Sequence, residues 1–250
     1  RGWIRRLAPE GWTESLMGSG LSAAEHSAAL SALASIARND RVTWLTPLDV
    51  YGAAENKPLQ YRRAAQVGVP VPEWIVTTDA SRIPRGGHWV SKPLGRGSFI
   101  DDDGAGWVVP TTSVDVDHDR ESVLRVPFLL QRRIEVATHS RVVTVGDEVF
   151  SATLPAGDLP LDWRMSTAGH EGFIDVPAPD AVHELARAAA AALNVGYSAQ
   201  DWVKDEQGAW WFIDLNPAGQ WLFLPSCTAD PVSAAIASFL DQGRAWSARP

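Results

Sequence analysis

The sequence predicts an α/β chain of the α+β kind, and three observations carry that expectation. Residues 197–203 (YSAQDWV) and 209–215 (AWWFIDL) alternate apolar and polar positions around Asp205-Glu206-Gln207-Gly208, the pattern of a β-hairpin. Residues 141–145 and 148–152 flank Gly146-Asp147 as a second hairpin with a two-residue turn. Elsewhere apolar residues recur at helical spacing, as with Leu30, Leu33 and Ile36, and again with Val182, Leu185, Ala189 and Leu193. A chain of 250 residues can hold two or three small lobes or one larger α/β body.

Taken in order, residues 1–12 set Arg1, Arg5 and Arg6 beside Trp3 and Trp12, either a cationic binding lip or a solvated surface segment. Ser22 and Glu25 have capping-box spacing, so a helix is expected from Ser22 to about Arg38. Residues 42–45 read as a short buried strand. A second helix begins at Pro58, where a missing amide proton does no harm, and ends before Gly68, a natural left-handed cap. Pro70 and Pro72 lead into a strand at 74–77, and the polar Arg/Pro/Gly link at 80–87 suggests a domain boundary. A strand at 88–92 feeds the turn Pro93-Leu94-Gly95-Arg96-Gly97-Ser98, where Lys92 and close backbone approach suit a phosphate. That spacing is not a P-loop, and a plain tight turn reads equally well. An acidic turn at 101–106 precedes residues 107–109, and 126–135 (VPFLLQRRIE) form a strand that turns polar at Gln131. Arg141 shares a face with Val143 and Val145, so it should point inward to an anion, either a ligand's or a salt-bridge partner's. Asp162-Trp163-Arg164 sits in a loop, a helix runs to about Gly196, and a final helix spans 230–240 with Pro231 in its first turn.

Composition narrows the chemistry. The apolar fraction is 45%, the charged fraction 21% and the formal net charge −8, which argues against a nucleic-acid-binding surface. Cys227 is the only cysteine, so no intrachain disulfide forms; it reads as a packed thiol and suits a reducing cytoplasm. No apolar run has the length of a membrane span and no signal peptide is visible. There is no GxSxG elbow, and the six histidines have no HExxH or CxxC partner.

What remains is centred on the first hairpin. With an even-numbered turn, Lys204 pairs with Ala209, Asp201 sits opposite Phe212, and Ala199 opposite Asp214. The two aspartates then share a face as diagonal neighbours, roughly 7–8 Å apart at the backbone. Asn216 follows on the same side. A bulge or a three-residue turn would break that parity. Two carboxylates and an amide oxygen are hard ligands suited to Mg²⁺ held together with a phosphate. A solvated polar face is the plainer alternative, but unpaired carboxylates among Trp202, Trp210, Trp211 and Phe212 would be costly. Without a cation the two acids should repel and protonate more easily than a free aspartate. Lysines and arginines for phosphates beside paired acids for magnesium are the inventory of an ATP-consuming enzyme.

Four blocks give these residues a family likeness: Asn56-Lys57-Pro58-Leu59-Gln60 before a helix ending in GVPVP; WVSKPLG; QRRIE with THSRVVTVGDEVF; and DWR followed by FIDLNPAGQW. Together they cover about two thirds of the chain, from Asn56 to Trp221. The chain resembles the ATP-grasp superfamily, and within it the graspetide (microviridin-type) synthetases that mature ribosomal peptides. The resemblance implies an ATP-grasp fold, with nucleotide held between a small central lobe (80–130) and a C-terminal mixed-sheet lobe (131–250). Residues 1–79 would be a truncated N-terminal lobe lacking its first strand and helix. It implies that Lys57 and Lys92 hold the α- and β-phosphates, that Gln131, Arg132, Arg133 and Ile134 form the adenine hinge, and that Glu135 reaches the ribose. Asp201, Asp214 and Asn216 would bind Mg²⁺, while Arg141 and Arg164 would neutralise the γ-phosphate and the acyl-phosphate oxygens. Two positions depart from the family's usual pattern: His139 stands where an acid is usual, and Asp214 where Glu is. The implied reaction is ATP-dependent activation of an Asp or Glu side chain of a precursor peptide (leader plus core). A Ser/Thr or Lys side chain then attacks to give an ester or amide crosslink. An ATP-grasp ligase for a free amino acid or small amine, and a non-catalytic nucleotide- or peptide-binding scaffold, are the alternatives. The implied partners include neither nucleic acid nor membrane, and a homodimer stays open.

Overall fold

The computed structural model describes residues 1–6, 20–95, 97–101, 103–116, 118 and 127–242; Trp12, Arg96 and Val126 lie outside them. The first helix, α1 (Leu21–Ile36), starts one residue ahead of Ser22, with Gly20 as its N-cap and no side-chain cap. Ser22 therefore lies inside the first turn, and the expected capping box does not form. The expected strand at 42–45 is also absent. Trp44 makes a single parallel bridge to Gly2, while Leu45 is fully buried.

Helix α2 (Lys57–Gln66) has Asn56 as its N-cap, whose side-chain oxygen accepts from the Leu59 amide at 3.0 Å. Its end is a Schellman motif. The Val69 amide donates to the Ala64 carbonyl and the Gly68 amide to Ala65, with Gly68 left-handed at φ 82°. Helix α3 (Asp180–Ala192) ends the same way, with Asn194 at φ 56° and the Val195 amide bonded to Ala190. Helix α4 (Ser226–Gln242) begins four residues before the expected 230, so Pro231 falls inside it rather than in its first turn. That earlier start leaves Cys227 exposed rather than packed.

The strands are β1 (Trp74–Thr77), β2 (Trp89–Lys92), β3 (Ser98–Ile100), β4 (Gly106–Val108), β5 (Thr112–Val114), β6 (Phe128–Arg132), β7 (Val136–Val145), β8 (Glu148–Pro155), β9 (Tyr197–Asp205) and β10 (Trp210–Asn216). They form a four-stranded sheet in the order β1-β6-β2-β5, a second in the order β10-β9-β7-β8, and the hairpin β3-β4. The first sheet joins β1, before position 80, to strands after it, and its β6 runs across position 131. All these pairings are antiparallel.

The period of two along each strand sends alternate residues to opposite faces of the larger sheet. Val143, Val145, Tyr197 and Ala199 pack with α4 residues Val232, Ile236 and Phe239. Val142, Trp202, Phe212 and Leu215 pack on the other face with Tyr61, Ala64, Val182 and Ala186 of α2 and α3. The smaller sheet closes over Ile83, Trp89, Val116 and Leu130. Of the segment expected as a cationic lip or a solvated surface stretch, residues 1–6 are described: Trp3 packs against Tyr197 and Trp221, Arg5 Nε donates to the Ala218 carbonyl, and Arg1 and Arg6 are exposed. Among the described residues, no helix is long and apolar enough to cross a membrane.

Gly68 has open space where a Cβ would sit, so only its backbone conformation resists substitution. Gly68→Ala should cost about 1 kcal/mol in chemical denaturation, with little change in the denaturant slope.

Candidate active site

The β9–β10 hairpin departs from the expected register twice. Its turn is odd-numbered: Asp205 pairs with Ala209, and Gly208 adopts φ 90°, so Lys204 faces Trp210 rather than Ala209. That slip alone would move Asp214 to the opposite face from Asp201. A bulge between Phe212 and Asp214, with Ile213 as the extra residue, restores the parity. Asp214 and Asp201 end up directly opposite one another, rather than diagonal, and Asn216 faces Ala199 on the same side.

The pair is the middle of a charged row. Arg141 on β7 lies opposite Asp201 in the sheet, and its Nη1 donates to the Asp201 carboxylate at 2.7 Å. At the other end, Lys57 from the first turn of α2 donates to both Asp214 oxygens at 3.0 Å. The row therefore reads cation, acid, acid, cation. Burial would raise the Asp214 pKa, but Lys57 and Lys92 together hold the carboxyl below the usual carboxylate range. The expectation that facing acids protonate more easily fails for Asp214, because the Lys57 and Lys92 ammonium groups favour its charged form. A depressed carboxyl contributes stability above its unfolded pKa and loses it as pH falls through the folded value.

Arg141 answers the alternative posed by its inward position: the anion it meets is Asp201. Its Nη2 also donates to the Gln220 carbonyl at 3.1 Å, and its buried Nε has no partner. Gly219 is the reason it fits, since a Cβ there would lie 2.9 Å from Arg141 Nη2 and 2.5 Å from the Ala199 side chain.

A cleft of about 510 Å³ opens between the two larger sheets, walled by Lys57, Lys92, Gln131, Asp162, Arg164, Asp201 and Asp214, with Ile134, Val136, Val203 and Ile213 as its apolar lining. Gly95, Gly97, Val108 and Val109 cover one side from the β3–β4 hairpin and the turn before it. Lys92 is buried, and burial pushes its ammonium down to about 8, Asp214 drawing it up and Lys57 pressing it further down. Its Nζ donates to the Tyr61 hydroxyl at 3.4 Å. Gln131 is 2% exposed, and its amide nitrogen is buried without a partner. Such an orphaned donor at a cleft wall suits a ligand acceptor.

The other residues expected at the hinge are partly occupied. The Arg132 and Arg133 amides already donate to the Glu73 and His88 carbonyls, at 2.7 and 2.9 Å. Arg132 stacks on Trp89 and pairs with Glu73, while Arg133 pairs with Glu135. Arg164 lies in a short 3₁₀ turn (Trp163–Met165) capped by Asp162, whose carboxylate it grips through Nε and Nη2, both at 2.8 Å. Asn216 is exposed and its side-chain oxygen accepts from the Ala218 amide at 2.8 Å. His139, not assigned a role from sequence, also lines the cleft; burial lowers its pKa against the pull of Asp201 and Asp162, which favours the neutral imidazole. Gln60 and Tyr61 were likewise given no role. The signal available was a glutamine three residues after Lys57, on the helix face that also carries Tyr61 and Ala64.

The donor set fits a magnesium–nucleotide pair in kind: two hard carboxylates open to the cleft, cations on either side, and an unpartnered amide donor. Among the described residues no group of three or more His, Cys, Asp or Glu could hold a metal. Phosphate oxygens would have to complete the shell, the usual arrangement for Mg²⁺.

No protein-family model matches the sequence, and no curated protein does. Solved structures do. A RiPP-associated ATP-grasp ligase from Chryseobacterium gregarium, in complex with ADP and a leader and core peptide, is 22% identical with TM-score 0.84, over 98% of this chain and 77% of that one. The macrocyclase MdnC of Microcystis aeruginosa MRC, bound with precursor peptide MdnA, is 21% identical with TM-score 0.74, over 96% and 77%. The macrocyclase MdnB of the same organism is 26% identical with TM-score 0.67, over 96% and 76%. The fold is the ATP-grasp fold.

A phosphate beside Lys92 favours its charged form. Just above pH 8, nucleotide binding should therefore take up protons, read as a dependence of the calorimetric enthalpy on buffer ionisation. Lys92→Met should abolish that uptake and weaken binding by about tenfold or more, or roughly 1.4 kcal/mol.

Proposed function

We propose that this chain is an ATP-dependent ligase that crosslinks side chains of a ribosomal precursor peptide. An Asp or Glu carboxylate of the peptide attacks the γ-phosphorus of ATP, ADP leaves, and an acyl phosphate forms. A Ser/Thr hydroxyl or Lys amine then attacks the acyl carbon, inorganic phosphate departs, and an ester or amide closes the ring. The observation that carries this reading is the row Lys57–Asp214–Asp201–Arg141, whose first three members wall a cleft between two sheets while Arg141 pairs with Asp201 from behind. The likeness to peptide-bound ATP-grasp ligases supports the choice of substrate.

In this reading Lys57 and Lys92 bind the α- and β-phosphates, and Lys57 leaves Asp214 to do so. Gln131 offers its free amide nitrogen to the base, beside the apolar wall of Ile134, Val136, Val203 and Ile213. Arg132, Arg133 and Glu135 brace the hinge through their own ion pairs. Asp201, Asp214 and Asn216 would hold Mg²⁺, which when bound neutralises charge on the transferring phosphoryl group. Arg141 keeps the Asp201 carboxylate oriented, and Arg164 faces the acyl-phosphate oxygens. With histidine at 139, the cleft lacks the extra negative charge that an acid would add beside the phosphates. Positioning and charge neutralisation supply the catalysis, with no protein nucleophile. The reaction would take place in the cytoplasm on a leader-plus-core substrate.

The test is incubation with a candidate precursor, ATP and Mg²⁺. Phosphate release with loss of one water per crosslink supports the proposal. A gain of mass equal to an added residue would identify a ligase for free amino acids, and no phosphate release would leave a binding scaffold. Arg164 is half-exposed but its partner Asp162 is buried, so its loss should lower Tm modestly without unfolding the chain. Arg164→Met should lower kcat about 100-fold or more with ATP affinity nearly unchanged. A collapse in Tm instead would make Arg164 structural.

A further inference from the structure

The backbone on both sides of Asp214 is bonded to the helix that carries Lys57. The Tyr61 hydroxyl donates to the carbonyl of Ile213, the extra residue of the bulge, at 2.9 Å. The Gln60 amide meets Leu215 twice: its Oε1 accepts from the Leu215 amide at 3.0 Å, and its Nε2 donates to the Leu215 carbonyl at 2.7 Å. The same Nε2 donates to the Ala54 carbonyl at 2.5 Å, which anchors the amide from behind. Gln60 is 1% exposed and Tyr61 fully buried.

β10 is an edge strand, so its outward amides and carbonyls need partners from outside the sheet. Apolar residues on the facing helix could cover them but not bond them. Gln60 imitates a neighbouring strand at Leu215, and Tyr61 takes the carbonyl that the bulge frees from the ladder. What these bonds preserve is the bulge itself. Removing it would shift the register by one and turn Asp214 away from Asp201, towards the face where Trp202 and Phe212 are fully buried.

We infer that Gln60 and Tyr61 are positioning residues for the carboxylate pair: they hold the Ile213 bulge so that Asp214 faces Asp201, and they couple that register to the helix end bearing Lys57. Lys57, Gln60 and Tyr61 span one turn of α2, so displacing the helix would disturb the lysine and the acid together. The inference rests on the reading of Asp201 and Asp214 as the magnesium site of a ligase.

Two substitutions and two measurements test it. Gln60→Leu removes all three amide bonds, and Tyr61→Phe removes a single hydroxyl, so at least the second should fold. The first measurement is ADP affinity by calorimetry across a magnesium series and in chelator. Both variants should raise the magnesium half-saturation by about tenfold or more, the usual cost of losing a group that orients a metal ligand. Affinity in chelator reports on Lys57, Lys92 and the Lys92 contact with Tyr61, so it should fall, but by less than the affinity measured in magnesium. The second measurement is hydrogen exchange at the Asp214 and Leu215 amides, which should speed up in both variants. A lowered Tm with magnesium half-saturation unchanged in Tyr61→Phe would overturn the inference, leaving the two residues as ordinary helix-to-sheet contacts. Wild-type ADP binding that ignores magnesium would instead sink the metal reading. The exchange rates then still judge the register separately: unaltered exchange in both variants overturns the positioning role.

Discussion

Two carboxylates directly opposite one another on adjacent strands repel, and the layout of the larger sheet follows from offsetting that repulsion. Arg141 must come from the next strand inward, which requires β7 to be central and to pair with β9 in the observed register. Lys57 must come from outside the sheet, which requires α2 to lie along the β10 edge with its first turn at Asp214. Neither cation sits between the acids, so the space they share stays open to the cleft. Losing one partner would leave a charge uncompensated in a poorly hydrated place, which costs more than the pair itself contributes.

The second level of support is mostly backbone. The loop after β10 comes close enough for Gln220 to bond Arg141 because residue 219 has no side chain. Arg5 reaches the same loop at Ala218, and Trp3 wedges between Tyr197 and Trp221 beneath it. The N-terminal residues thus steady the segment that carries Asn216, although they lie far away in sequence. On the opposite wall Lys92 depends on its surroundings for its charge: burial works against the ammonium, and Asp214 across the cleft works for it. The two walls are therefore coupled electrostatically before any ligand enters.

Legibility from the sequence followed the range of the interactions. The Gly68 terminus, the Gly146-Asp147 turn and the strand at 74–77 were readable because a few adjacent residues determine them. The capping box at Ser22 failed because a helix start is also set by what lies before it, here Gly20. The short strand at 42–45 failed for a different reason. Leu45 is buried as its composition suggests, but burial alone does not supply a strand partner. The sequence around Cys227 shows no activating base and so suggests a packed thiol, but the first turn of α4 leaves it outside.

At the site itself, the alternation of residues 197–203 and 209–215 determined that a hairpin would carry Asp201 and Asp214, because side-chain period is a local property of a strand. Which residues face one another was decided only in three dimensions. An odd turn and a bulge each move the register by one, and their effects cancel, so the shared face was foreseen and the pairing was not. The bulge is sustained by Gln60 and Tyr61, more than 150 positions away in sequence. The same holds for charge. The sequence by itself determined that lysines, arginines and acids were present in the right kinds; their partners, and hence the depressed Asp214 and Lys92, came from which elements the fold brought together. Local periodicity is written in adjacent residues, whereas electrostatic environment is a sum over neighbours that only the folded chain assembles.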